Sequence, residues 1–247
     1  MTRPWLIATA LLAWLTASAA AAEPLIADLT SHLIAITTGF TGTNVVLFGA
    51  TDGTGDVIVV VRGPERDTVV RRKSRVAGLW INKRQVTFTG VPSYYAVLSS
   101  RPLGDIAPPA VQALHQIGLA NLHLGVLERK RSPDEIANFR AALVRGRQRE
   151  GLYADTIGRV NFLGDRLFRA TISFPANVPT GTYLVEIFLV RDKGVVTGQT
   201  TPLVVSQAGI DAEINEFADR WAFFYGVVAV GLAAMAGWLA SLPFRNA

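Results

Sequence analysis

From Trp221 to Phe244 the chain runs 24 residues without a charged side chain, between Arg220 and Arg245. At 1.5 Å per residue a helix of that length rises about 36 Å, enough to cross a hydrocarbon layer of roughly 30 Å with some tilt. A core helix of a globular domain keeps a polar face, and this stretch has none, so one C-terminal transmembrane helix is predicted over 221–244. Trp221 and Tyr225 at one boundary, with Trp238 and Phe244 at the other, fit an interfacial aromatic belt. Ala229, Ala233 and Gly237 recur every four residues and mark a face that a second helix can approach closely; plain anchoring is the competing reading.

The other end is apolar for a different reason. Residues 1–22 carry Arg3, an apolar run from Trp5 to Leu15, and Ala19 to Ala22 before Glu23-Pro24. That is the order of a cleavable signal peptide, with retention as an N-terminal anchor the alternative. One arginine on each side of 221–244 gives the positive-inside rule little to count, so the signal peptide sets the orientation. It exports residues 23–220 and leaves 245–247 as a cytoplasmic tail. The expected protein is single-pass in a bacterial inner membrane, with its bulk in the periplasm. The chain has no cysteine, which rules out disulfides, thiolate metal sites and a cysteine nucleophile.

Within the exported segment, short β-branched and aromatic runs alternate with Gly, Asp and Pro. Strands are predicted at 33–37, 43–50, 56–62, 68–72, 85–89 and 94–98, then at 160–163, 167–174, 182–191 and 195–206. Val57 to Val61 is apolar at every position, so both faces of that strand should be covered. Between the two strand sets, Pro108 to Leu127 shows a helical stripe of Val111, Leu114, Ile117, Gly118 and Leu122. Ser132-Pro133-Asp134-Glu135 then starts a second helix, with Ser132 as cap, Glu135 reaching back, and Ile136, Phe139 and Leu143 as its stripe. The expectation is an α-helical hairpin inserted at about 106–150. Val178-Pro179-Thr180-Gly181-Thr182-Tyr183 looks like a corner where a tyrosine hydroxyl bonds back to the backbone. The fold class is therefore mainly β, an immunoglobulin-like β-sandwich over 23–206, or two separate β domains. A helical stalk over 207–220 would join it to the membrane.

Between Arg62 and Arg84 eight cations oppose Glu65 and Asp67. The densest part, Arg71, Arg72, Lys73, Arg75, Lys83 and Arg84 with Trp80 among them, is a candidate patch for an anionic partner. Charges guarding an edge strand are the leading explanation of the cations, and Trp80 is first a core candidate. Arg140, Arg145, Arg147 and Arg149 gather toward a helix C-terminus, where the helix dipole already favours them. His115 and His123, eight apart, miss the i, i+4 spacing of a shared metal. Asp52 and Asp56 flank Gly-Thr-Gly and read as a turn before they read as calcium ligands. No G-x-S-x-G, H-E-x-x-H or Walker pattern occurs, so the reading is a non-enzyme with no metal and no cofactor. Export makes nucleic acid an unsuitable partner.

Several motifs in order, Gly39-Phe40-Thr41-Gly42, Leu47 to Ala50, Val60 to Pro64, Gly78 to Asn82, Val91 to Tyr95 and Tyr225-Gly226 to Trp238, resemble the alphaproteobacterial transmembrane family Alph_Pro_TM over nearly the whole mature chain. The resemblance brings no assigned activity and hence no catalytic residue. It implies an association with sulfite-exporter-type permeases of the TauE/SafE class. The function expected is a membrane-anchored periplasmic module that binds or assembles with another envelope membrane protein, such as an accessory to a permease. The alternative is a periplasmic receptor for an anionic ligand.

Overall fold

A computed structural model describes residues 24–76, 79–128, 131–208 and 222–241, with backbone alone for 73–76, 79–83, 222–225 and 239–241. The signal peptide and cytoplasmic tail fall outside these, as does nearly all of the proposed stalk. The strands are β1 (Leu25–Leu29), β2 (Leu33–Ile36), β3 (Gly42–Thr51), β4 (Asp56–Arg62), β5 (Glu65–Val76), β6 (Leu79–Pro92), β7 (Tyr95–Ser99), β8 (Gly125–Val126), β9 (Gly158–Leu163), β10 (Leu167–Pro175), β11 (Gly181–Arg191) and β12 (Gly194–Gln207). The helices are α1 (Leu103–Ile106), α2 (Pro109–Leu114), α3 (Pro133–Arg149) and α4 (Ala222–Ser241).

The chain is mainly β. Nine strands pair in the order β1-β3-β10-β9-β7-β4-β11-β12-β2. The strands after the insertion pair with those before it, β10 with β3 and β11 with β4, so both sets share one core. The sheet is held at its middle by a short parallel contact, Leu98 opposite Gly158 and Ser99 opposite Arg159. It curls there, and the inward residues of the two halves meet. Leu47 and Phe168 come from one half, Val59, Val185 and Leu203 from the other, all 1% exposed or less. Burying such side chains contributes roughly 1.5–3 kcal/mol each. Where the curl brings β1 beside β12, the Gln199 amide takes a missing strand's place. The Ala27 N–H donates to its Oε1 at 2.9 Å, and its Nε2 donates to the Ala27 carbonyl at 2.7 Å.

Val57 to Val61 are covered on both faces, as their unbroken apolar run requires. Val57, Val59 and Val61 enter the core inside the curl, while Ile58 and Val60 pack beneath the insertion with Tyr95, Ile117 and Tyr153. The tyrosine at the corner is also in place: the Tyr183 hydroxyl donates to the Pro179 carbonyl at 2.6 Å.

The helical hairpin is corrected. Only its second arm, α3, is a full helix; the first breaks into α1, α2 and a single 3-10 turn at Leu119–Asn121. The reason lies 21 residues upstream. The Tyr95 hydroxyl donates to the Gln116 carbonyl at 2.7 Å and accepts the Gly118 N–H at 2.8 Å. It thereby satisfies backbone groups that a continuing helix would need for itself. Gln116 and Gly118 have φ of 52° and 93°, outside any helix. Leu114, expected inside, is 74% exposed. The start of α3 matches its sequence signature by half: Ser132 Oγ accepts the Glu135 N–H, but the Glu135 carboxylate turns to Arg131 and Arg84 instead of back to Ser132.

The runs read as short strands at 68–72 and 85–89 are the middle of a long ribbon, β5 paired with β6. It continues the β4–β7 ladder. Arg62 faces Tyr95 in the main sheet and Glu65 faces Pro92 in the ribbon, with Gly63 N–H to Tyr94 O and Ser93 N–H to Pro64 O carrying the register across. A side chain at Gly63 would lie 2.5 Å from Ser93 Oγ and 2.9 Å from Tyr94 N, so the crossing point needs glycine.

Candidate functional site

The base of the ribbon and α3 pack through Val86, Phe88, Val91, Phe139 and Leu143. Beside this contact lies an open cleft of about 570 Å³, lined by Arg71, Arg72 and Arg84 on the ribbon and Glu135, Asn138 and Arg145 on the helix. Four guanidinium groups thus face one carboxylate. Arg84 Nη1 lies 3.2 Å from Glu135 Oε1, and Arg84 is 56% exposed. Arg72 stands directly opposite Arg84 across the strands, and like charges in that register repel. The arrangement suits an anion that several arginines reach at once.

Of the predicted patch, the structure therefore brings Arg71, Arg72 and Arg84 together. Lys73, Arg75, Trp80 and Lys83 lie on paired strands, Lys73 opposite Asn82 and Arg75 opposite Trp80, but their side chains are outside the described residues. The edge-strand explanation is met as well, since β5 is an edge of the three-stranded sheet β5-β6-β8. Arg145 is the residue that sequence reasoning placed elsewhere. Its helical neighbours are used locally: Arg140 Nη2 donates to the Ala120 carbonyl at 3.0 Å, and Arg147 Nη1 lies 3.1 Å from Glu150 Oε2. Arg145 shares a face with Glu135, Asn138 and Ala142, spacings of three, four and three that follow one helical stripe.

His115, Asp52 and Asp56 are engaged in the fold. The His115 ring packs on Phe188 at 4.9 Å between centroids, and its carbonyl accepts from Arg62 Nη2 at 2.7 Å. Arg62 Nη1 is 2.7 Å from Glu186 Oε2. Burial raises the Glu186 carboxyl above the usual range, with the Arg62 and His115 charges opposing. Burial also pushes the Tyr95 hydroxyl up to about 12, fitting its role as a hydrogen-bonding strut. Among the described residues no group of three or more His, Asp and Glu could hold a metal. Asp52 pairs with Arg191, and Asp56 with Arg101 and, at 2.9 Å, the Ser100 hydroxyl.

The Arg101 guanidinium holds the Asp56 carboxyl below its ordinary range. A depressed carboxyl stabilises the fold above the unfolded value and loses that contribution as pH falls through the folded one. Wild type is therefore expected to be more stable than Asp56→Asn above about pH 4, with the gap closing as the pH drops further. Thermal melts of the two proteins against pH check this; a gap that widens in acid would contradict it.

A second surface was not foreseen. On the outer side of the sheet Ile26, Ala50, Leu167 and Leu163 stand opposite one another across β1, β3, β10 and β9 in one row. The three large members are 54–61% exposed. In the next row Phe48, 48% exposed, sits between Asp28 and Arg169. This apolar row with a charged margin lies at the end of the sheet remote from Gln207, where β12 ends. On α4, Ala229, Ala233 and Gly237 are exposed and open to a neighbour. α4 spans 20 residues without charge, though among the described residues no helix is long and apolar enough to cross a membrane.

A family model described as "Putative transmembrane protein (Alph_Pro_TM)" matches residues 24–246. No curated protein matches the chain.

Proposed function

The chain belongs to the Alph_Pro_TM family, and we propose that it is a membrane-anchored module of the bacterial inner membrane whose exported body assembles with another envelope membrane protein. The anchor is 221–244, of which α4 is the described part. The body is read as an immunoglobulin-like sandwich, which the Tyr183 corner supports. The observation that carries the reading is the row Ile26, Ala50, Leu167 and Leu163 beside Phe48. A folded domain rarely leaves several large apolar side chains adjacent in water unless something covers them. The row lies at the end of the sheet opposite Gln207, which supports reading its partner as an exported part of another protein, a permease of the TauE/SafE class being the candidate. Anchoring supports this by confining both partners to one thin layer, which raises their effective concentration. A photoreactive residue at position 48 tests it in intact membranes.

The cleft favours a second reading, a receptor for an anionic ligand. Arg71, Arg72, Arg84 and Arg145 would share the anion, and Glu135 would limit it to groups that outcompete one carboxylate. Arg145→Gln is expected to weaken binding of glycerol phosphate by about tenfold, with a shallower salt dependence, since one charge-assisted contact is lost. Titration calorimetry at two ionic strengths measures it; unchanged affinity would remove Arg145 from the site.

A further inference from the structure

We propose that the β5–β6 ribbon lies against the membrane that holds α4, with its cations among anionic lipid headgroups. The proposal rests on the anion-binding reading of the cleft and names the bilayer surface as the source of the anion.

The topology sets the direction. The ribbon continues the β4–β7 ladder past Arg62 and Tyr95, at the end of the sheet where Gly181 pairs with Val205 and β12 finishes at Gln207. The ribbon and the chain to the membrane helix thus leave the body at the same end. Covalent geometry sets the reach. The twelve residues of β5 extend about 36 Å, while the link from Gln207 to Ala222 reaches no more than roughly 50 Å. The ribbon therefore spans most of the gap that the tether permits.

Composition sets the chemistry. Between Thr68 and Arg84 the chain has no acidic residue and six cations: Arg71, Arg72, Lys73, Arg75, Lys83 and Arg84. They occupy both strands, on either side of a register that pairs Arg75 with Trp80 and Val76 with Leu79. Apolar and aromatic positions enclosed by cations form the pattern that seats at an anionic interface, the cations near phosphates and the tryptophan at headgroup depth. Guarding an open edge takes scattered charge of either sign. It leaves unexplained why Arg72 faces Arg84 with a single glutamate nearby, a repulsion that a layer of headgroup phosphates would neutralise.

Because the chain is free of cysteine, Leu79→Cys gives a single labelling site near the end of the ribbon. The full-length protein, labelled there with an environment-sensitive dye, is placed in nanodiscs of phosphatidylcholine alone or with one third phosphatidylglycerol and titrated with acrylamide. Quenching is expected to fall about threefold or more in the anionic discs and to recover at high salt, as expected for screened headgroup contacts. Arg71→Gln/Arg72→Gln/Lys73→Gln/Arg75→Gln should abolish the protection, and the same positions carried as Lys should keep it. A label at Lys193→Cys, at the other end of the body, should quench alike in all discs. Glycerol phosphate added to phosphatidylcholine discs separates the two readings: no protection there, together with protection in the anionic discs, assigns the anion to the bilayer. Protection there without any in the anionic bilayer would keep a soluble-anion site and overturn the membrane contact, as would equal quenching of the residue 79 label in both lipids.

Discussion

Gln199→Leu is expected to lower the stability of the exported body by about 2–4 kcal/mol, because two buried backbone groups lose their partners at once. Ala27 is 4% exposed, and its N–H and carbonyl point from the free side of β1 into the Gln199 amide. Leucine preserves the bulk but supplies neither donor nor acceptor, and water has little access to replace them. Gln199→Glu keeps an acceptor for the N–H while bringing a charge against the carbonyl, so it should fall as far or farther. Urea unfolding of the full-length protein reads the change as a lower midpoint with an unaltered slope. A midpoint within error of wild type would mean that the join between β1 and β12 is made by packing alone.

Phe48→Asp should leave the midpoint nearly where it is and remove partner contact instead. Phe48 is half exposed, so little burial is lost, and the aspartate stands between Asp28 and Arg169, where the guanidinium offsets the repulsion from the facing carboxylate. A carboxylate in the apolar row would have to be desolvated by any protein covering it, a cost of several kcal/mol and at least a hundredfold in affinity. With a photoreactive residue at position 26, crosslinks to a membrane partner are expected in wild type and absent in Phe48→Asp. Crosslinks that persist unchanged would take the interface off this face, and a fall in stability equal to the loss of crosslinking would reduce the effect to misfolding.

The strands were legible wherever one short window held the cause. Val57 to Val61 announced a doubly covered strand, Val178 to Tyr183 announced a corner, and Ser132 to Glu135 announced a helix start, each from neighbours in sequence. The failures had distant causes. The helix expected from Pro108 was ended by Tyr95. The long ribbon hid behind register shifts at Arg66/Thr68 and Arg72/Lys73, which interrupt the alternation that marks a strand. β1 alternates cleanly, with Leu25, Ala27 and Leu29 inward, but it adjoins the expected cleavage site and lies before the first predicted strand at 33–37. The basic patch was half visible: a run of cations shows itself, whereas Arg145 joins only when α3 folds over the ribbon. The apolar row escaped altogether, since its members come from four strands spread between residues 26 and 167 and meet only through pairing.

The placement on which both proposals depend is best tested by labelling a single cysteine introduced at Asp192, in the turn between β11 and β12. A membrane-impermeant maleimide added to spheroplasts should label Asp192→Cys before lysis, and the labelled protein should stay with the membrane after alkaline carbonate extraction. Labelling that requires lysis, or release of the labelled chain into the carbonate supernatant, would contradict an exported body held by a spanning helix.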